Sequence, residues 1–244
     1  MAVRIYAHRG ASAELPENTL AAFRRALELG ADALELDIHT TRDGALVVTH
    51  DPDGQRMCGV PRRFADVTLA EVRSWNAGAG FIAHDGGRPF DRAGLGVPTL
   101  EEVLVELAGV PLNVDLKLGA AEATVALVRR LDAEAHVCLA SFQARTMKRV
   151  RALGYAGPTA LSRAEVLAAL ALPVALQRQP LPAAAAQLPL SLAQPWIVRR
   201  MKALGLRVDY WTVDDAELAR RLVALGADGI MTNDPRRIVP ALRS

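Results

Sequence analysis

Five glycines constrain what this chain can fold into. Gly30, Gly109, Gly154, Gly205 and Gly226 each follow an apolar helical stretch. A glycine just past a helix can take the left-handed backbone conformation that ends it, so each marks one helix turning back toward a strand. Repetition of that unit is the pattern of a mostly parallel sheet covered by helices, an α/β fold. The phrase Leu29-Gly30-Ala31-Asp32 returns as Leu225-Gly226-Ala227-Asp228, so the first and last units echo one another.

Strand-like runs fall at 4–7, 33–38, 112–116, 136–141, 159–162, 207–213 and 229–232. An eighth is expected between 170 and 196, at either 174–177 or 185–190. Eight strands in 244 residues predict one closed (β/α)8 TIM barrel spanning the whole chain. The stretch 52–98 fits no βα unit. It holds eight glycines and reads as an insertion after the second strand, with a small helix at 69–75. Long structured loops are usually functional, which predicts a lid or substrate-shaping role.

Composition narrows the class. Half the residues are hydrophobic (51%), enough for a large core, and 29 basic against 27 acidic side chains leave a net charge of +2. That balance lacks the basic footprint of a nucleic-acid binder. Cys58 and Cys138 lie far apart and predict neither a disulfide framework nor a thiolate metal site. No charged leader with an apolar stretch opens the sequence, and the longest apolar run, 166–176, is short of the roughly 20 residues that span a bilayer. The expectation is a soluble, cytoplasmic protein without stable membrane insertion.

Three clusters carry chemistry. His8-Arg9 ends the first strand, on the face where barrels place their catalytic groups, and precedes Pro16-Glu17-Asn18-Thr19. The pair could move a proton and hold an anion, or be a structural histidine beside a surface arginine; Asn18 or Thr19 could cap the next helix. In the second cluster Glu35 and Asp37 share one face of a strand while Leu34, Leu36 and Ile38 share the other. Asp115 and Lys117 sit alike on a later strand. Clustered carboxylates need a cation: either a divalent metal such as Mg²⁺ or Ca²⁺, or an ion-pair network with Lys117 and Arg9. In the third, an apolar strand delivers His50-Asp51. Two histidines beside a cation site suit displacement at phosphorus, one as general base and one as general acid. Asp51 could orient His50 or make a turn. His39, His84 and His136 read as structural or surface groups.

These residues, with Pro98-Thr99-Leu100-Glu101-Glu102, Trp211-Thr212-Val213 and Asp228-Gly229-Ile230-Met231-Thr232-Asn233-Asp234-Pro235, resemble the glycerophosphodiester phosphodiesterases in order and spacing from residue 7 to 235. The resemblance implies a (β/α)8 barrel with an insertion after the second strand. It also implies a divalent cation and hydrolysis of a small glycerophosphodiester to sn-glycerol 3-phosphate and an alcohol. By position, His8 and His50 would be the acid/base pair and Glu35, Asp37 and Asp115 the metal ligands. Arg9 and Lys117 would face the phosphate, Trp211 would wall the glycerol pocket, and Asn18 would support the first loop.

Two positions depart from the family pattern. Asp115 stands where a glutamate is usual, which predicts a ligand acting through water or a site favouring Ca²⁺. Asp214 stands where Asn is common, a change expected to be minor. Two other readings fit the same residues: a lysophospholipase D or phosphoinositide-type phosphodiesterase, and a barrel that binds glycerol phosphate without turning it over. Few aromatic residues (5%) and no evident exposed apolar helix favour a water-soluble substrate.

Overall fold

The computed structural model describes residues 3–172 and 181–243. In chain order the strands are β1 (Arg4–His8), β2 (Ala33–Thr40), β3 (Leu46–Val48), β4 (Asp53–Gly54), β5 (Val60–Arg63), β6 (Leu112–Leu116), β7 (Val137–Ala140), β8 (Ala185–Pro189), β9 (Arg207–Trp211) and β10 (Gly229–Thr232). The helices are α1 (Leu20–Glu28), α2 (Gln55–Cys58), α3 (Leu69–Val72), α4 (Leu100–Glu106), α5 (Ala121–Arg130), α6 (Ala144–Ala152), α7 (Arg163–Ala171), α8 (Pro195–Ala203), α9 (Ala216–Leu225) and α10 (Pro235–Arg243).

Parallel pairing runs β7-β6-β2-β1-β10-β9-β8, and the ring closes through residues 159–160. Thr159 bridges to Leu139 of β7 and Ala160 to Ala185 of β8. The fifth stave is thus two bridges rather than the strand expected at 159–162. The sixth stave, the strand sought between 170 and 196, is Ala185–Pro189, paired with β9, within the expected 185–190. The alternative at 174–177 lies outside the described residues. The strand that brings His50 is not a stave: β3 pairs antiparallel with the outer end of β2, Ile38 against Val48.

The alternation in β2 works as its sequence requires. Leu34, Leu36 and Ile38 are fully buried in a cluster with Phe23 of α1, Leu100 of α4 and Val128 of α5. At about 2 kcal/mol for each such side chain, that face fixes the strand register. Glu35 and Asp37 then have only the barrel interior. All five predicted stops adopt positive φ, between 69° and 105°. The insertion builds its own small core from Val47, Cys58, Phe64, Val67, Val72, Trp75, Ala77 and Val97. Its helix α3 is one turn, shorter than expected, and carries a complete capping box from Thr68 and Glu71. Both cysteines are free and buried. No described helix is long and apolar enough to cross a membrane.

Gly10 has the tightest place near the carboxyl ends of the staves. It turns the chain after His8-Arg9 at φ 84°, and a Cβ there would lie 2.7 Å from the Ala22 backbone carbon. Both the left-handed backbone and the clash oppose any side chain. Gly10→Ala is expected to lower unfolding stability by ~2–3 kcal/mol in urea denaturation; an unchanged midpoint would refute the claim that this turn admits only glycine.

A candidate active site at the carboxyl ends of β1, β2 and β6

Register brings the carboxylates together. β1 pairs His8 with Glu35, and β2 pairs Glu35 with Asn113 and Asp37 with Asp115. Two rungs of neighbouring staves therefore hold Glu35, Asp37 and Asp115, all nearly inaccessible to solvent. Lys117, one residue past β6, reaches back so that its Nζ lies 2.7 Å from Asp37 Oδ1 and 2.5 Å from Asp115 Oδ2. Asp37 also accepts from Asn18 Nδ2 at 3.3 Å.

Arg9 and Asn18 frame the cluster with left-handed backbones, φ 59° and 57°. Each costs about 1 kcal/mol for a residue with a Cβ. The Asn18 amide donates to the Arg9 carbonyl, which locks the two together. Arg9 Nε lies 3.2 Å from Asp37 Oδ2 but is not aligned for a hydrogen bond, and Asn18 Oδ1 is buried without a partner. A donor and an acceptor are thus left over at the same place. Thr19, not Asn18, caps α1.

Electrostatics divides the carboxylates. Burial pushes the Glu35 carboxyl well up, and Asp37 and Asp115 beside it add to the push beyond what Arg9 returns. Burial also presses on Asp37, but Lys117 and Arg9 outweigh it and hold that group below the usual range. Asp115 shares Lys117 without comparable help from Arg9, and burial leaves it pushed up to about 6. Three carboxylates face two cationic side chains, so the site carries surplus negative charge in Glu35 and Asp115.

A divalent cation fits that surplus by chemistry: the donors are hard oxygens, and Asn18 Oδ1 is a spare neutral one. As they stand, the described residues form no ready group of three ligands. Lys117, drawn between Asp37 and Asp115, supplies the bridging charge instead. Both readings of the cluster, metal site and ion-pair network, therefore share the same side chains.

The two histidines line the same cavity of about 540 Å³. His8 Nδ1 lies 2.7 Å from Asn233 Oδ1. The amide orientation follows from Asp214, whose carboxylate accepts from Asn233 Nδ2 at 2.8 Å and from the Asn233 backbone at 2.7 Å. With the amide nitrogen committed there, the oxygen faces His8, which sets Nδ1 as the protonated nitrogen. Burial, then Arg9, keep the His8 pKa below its ordinary value, so the ring is neutral near neutral pH. His50 Nδ1 lies 2.8 Å from Asp51 Oδ1, so Asp51 orients it rather than making a turn alone. His39 is structural: its Nε2 meets the His50 carbonyl at 3.0 Å.

Every residue expected from sequence lines or abuts this cavity: His8, Arg9, Glu35, Asp37, His50, Asp115, Lys117 and Trp211 line it, and Asn18 lies behind Asp37. The insertion does not. No residue of 52–98 is in the lining, so any lid or substrate-shaping role of the insertion is not exerted through the wall of this cavity. The far wall is apolar instead, from Phe142, Leu161, Val166, Leu167, Leu188 and Leu192. Phe142 packs edge-on to Trp211 at 5.6 Å. Those groups come from different elements, so no single amphipathic helix announced them. Asn233 and Asp214, present in the sequence motifs, were given no role there; Asp214 accepts from Asn233 and so sets how Asn233 meets His8. A second groove of about 610 Å³, between α4, α5 and the insertion, is lined by Leu46, Leu69 and Leu127 and by the surface ion pairs Arg130–Glu101 and Arg73–Glu102.

The charge surplus has a measurable sign. Glu35 titrates above its unfolded value in the folded protein, so the native state binds the extra proton, and stability falls as pH rises from the unfolded pKa through the folded one. Glu35→Gln mimics the protonated form. With chelator present, its thermal midpoint is expected to match wild type near pH 4 and exceed it near pH 8. A pH-independent difference, or none, would contradict the assignment of surplus charge to Glu35.

Comparison with known proteins agrees with this geometry. A profile of the Glycerophosphoryl diester phosphodiesterase family matches residues 8–237. A protein of Caldanaerobacter subterraneus subsp. tengcongensis named glycerophosphodiester phosphodiesterase is 32% identical, over 100% of this chain and 99% of its own. A human protein named as a lysophospholipase D is 26% identical over 95% of this chain and 83% of its own. An Oleispira antarctica phosphodiesterase, solved in complex with the product sn-glycerol-3-phosphate, superposes with a TM-score of 0.80 at 26% identity, covering 99% of this chain and 97% of the other. On the match across nearly its whole length, this chain belongs to the glycerophosphoryl diester phosphodiesterase family.

Proposed function

We propose that this chain hydrolyses glycerophosphodiesters to sn-glycerol 3-phosphate and an alcohol, with a divalent cation and two histidines as proton-transfer groups. The observation that carries the reading is the pairing of His8 and His50 around one carboxylate cluster, each with Nδ1 engaged and both lining one cavity, His8 Nε2 lying 3.8 Å from Glu35 Oε2. Family membership and the relatives' names support it.

His8, kept neutral by burial, accepts the proton of an attacking water at Nε2 as oxygen bonds to phosphorus. The phosphorus–alkoxide bond breaks and the departing oxygen takes the Nε2 proton of a doubly protonated His50, which is left as the neutral ring with Nδ1–H on Asp51. Arg9, with its unaligned Nε, and Lys117 face the phosphoryl oxygens. Trp211 walls the glycerol. Glu35, Asp37 and Asp115 would hold the cation, which when bound supplies positive charge against the phosphoryl oxygens. Asn18 steadies Asp37.

The assay is release of sn-glycerol 3-phosphate from glycerophosphocholine in Mg²⁺ or Ca²⁺, expected to stop with chelator. His8→Ala and His50→Ala are each expected to lower kcat by about 10²–10⁴ with the thermal midpoint unchanged. Wild-type activity in either variant would remove that histidine from its role, and a protein that cleaves no glycerophosphodiester would sink the whole reading.

The apolar wall favours a second reading, a lysophospholipid as the diester, in line with the name of the human relative. Leu167 is more than half exposed at the mouth, where an acyl chain would cover it. Leu167→Ser is then expected to lower kcat/KM on lysophosphatidylcholine about tenfold, from ~1.4 kcal/mol of lost burial, while sparing glycerophosphocholine. Equal effects on both substrates would rule this reading out.

A further inference from the structure

The insertion lacks any residue in the cavity wall, yet one of its side chains joins the two loops that carry the histidines. Arg56, in α2, sets a bidentate fork on Glu17: Nη1 to Oε2 at 3.0 Å and Nη2 to Oε1 at 2.7 Å. Its Nε donates to Asp51 Oδ2 at 2.6 Å. The other Asp51 oxygen holds His50 Nδ1. Glu17 in turn holds Arg9 Nη1 at 3.2 Å. One guanidinium therefore closes a chain of contacts from His50 through Asp51, Arg56 and Glu17 to Arg9.

The insertion is built to keep α2 in place. Gly54, just before it, has no room for a Cβ, which would meet Trp75 at 2.7 Å, and a Cβ on Gly80 would meet the Arg56 carbonyl. The Gly80 amide donates to the Met57 carbonyl at 2.8 Å. Phe64 packs on Trp75 on one side, with centroids 5.2 Å apart, and on His39 on the other at 6.4 Å. His39 meets the His50 carbonyl, so the same core reaches the His50 backbone by a second route.

We propose that Arg56 is a positioning residue for the reaction, and that the insertion serves to hold it where it fixes the Asp51–His50 pair relative to Arg9. The proposal rests on the hydrolase reading for its kinetic consequence, but not for its structural one. Arg56 itself is nearly half exposed although Glu17 and Asp51 are partly buried, so its loss should lower the thermal midpoint only modestly. Misplacing a proton donor, by contrast, costs rate steeply, on the order of a hundredfold for about 1 Å. Function and stability should therefore separate. Lysine has neither the fork nor the third donor geometry, so it should not substitute.

The experiment compares Arg56→Met and Arg56→Lys with Arg73→Met. Arg73 pairs with Glu102 at similar exposure in the same insertion, away from the cavity. Arg56→Met should lower kcat about 10- to 100-fold with KM and thermal midpoint near wild type, and Arg56→Lys should recover little. Arg73→Met should keep wild-type kcat. Independently of turnover, ¹⁵N NMR of the neutral His50 ring, observed at alkaline pH, should show a single Nδ1–H tautomer in wild type and a tautomer mixture in Arg56→Met. A wild-type His50 spectrum in Arg56→Met, or a rate loss matched by lost stability, would overturn the proposal. A wild-type protein without activity but with the tautomer change would instead fault the hydrolase reading alone.

Discussion

The Asp37 carboxylate is the point on which the site depends. It meets Lys117 from the β6 loop, Asn18 from the loop before α1, and Arg9 from the end of β1. The loop between β1 and α1 and the residue after β6, remote in sequence, are thus tied to one buried oxygen pair. The left-handed backbones of Arg9 and Asn18 persist because those ties over-determine them. The neighbouring carboxylates are the less comfortable partners. Glu35 and Asp115 bear charge that the protein's own cations do not fully offset, a strain that folding alone does not require.

Much of this was legible in the sequence because it follows from period and reach. Alternation in β2 sends Glu35 and Asp37 inward once Leu34, Leu36 and Ile38 are claimed by the helices. Glycines at helix ends marked the units. What stayed hidden depends on contacts between remote segments. Nothing local in residues 159–162 says that the ring would close there through two bridges. Nothing near Arg56 points to Glu17, 39 positions away. The orientation of Asn233 is fixed by Asp214, whose effect lies in being acceptor-only, a property invisible until the two are seen side by side. Length and glycine content set the insertion apart from the βα units but do not reveal which way it packs or that Arg56 would reach Glu17.

The two histidines are held by opposite strategies. His8 is buried among staves, its tautomer set by an amide that a carboxylate has already oriented. His50 stands on an appended antiparallel strand and depends on a surface carboxylate, a guanidinium and the packing of a small separate core. The first is rigid through burial. The second is rigid only through its neighbours.

The closure at residues 159–160 has a consequence for how such a chain can diversify. The charged half of the cavity rests on β1, β2 and β6, joined by continuous ladders of three to five registered pairs. The apolar half rises from the side where the ring is sewn by single bridges, with Leu161 and α7 directly after the seam. Insertions or exchanges at the seam disturb few backbone hydrogen bonds, whereas the same changes among the ladders would shift the carboxylates. One uninterrupted chain is therefore divided into a half whose continuous ladders fix the carboxylates and a half whose seam is held by few backbone bonds.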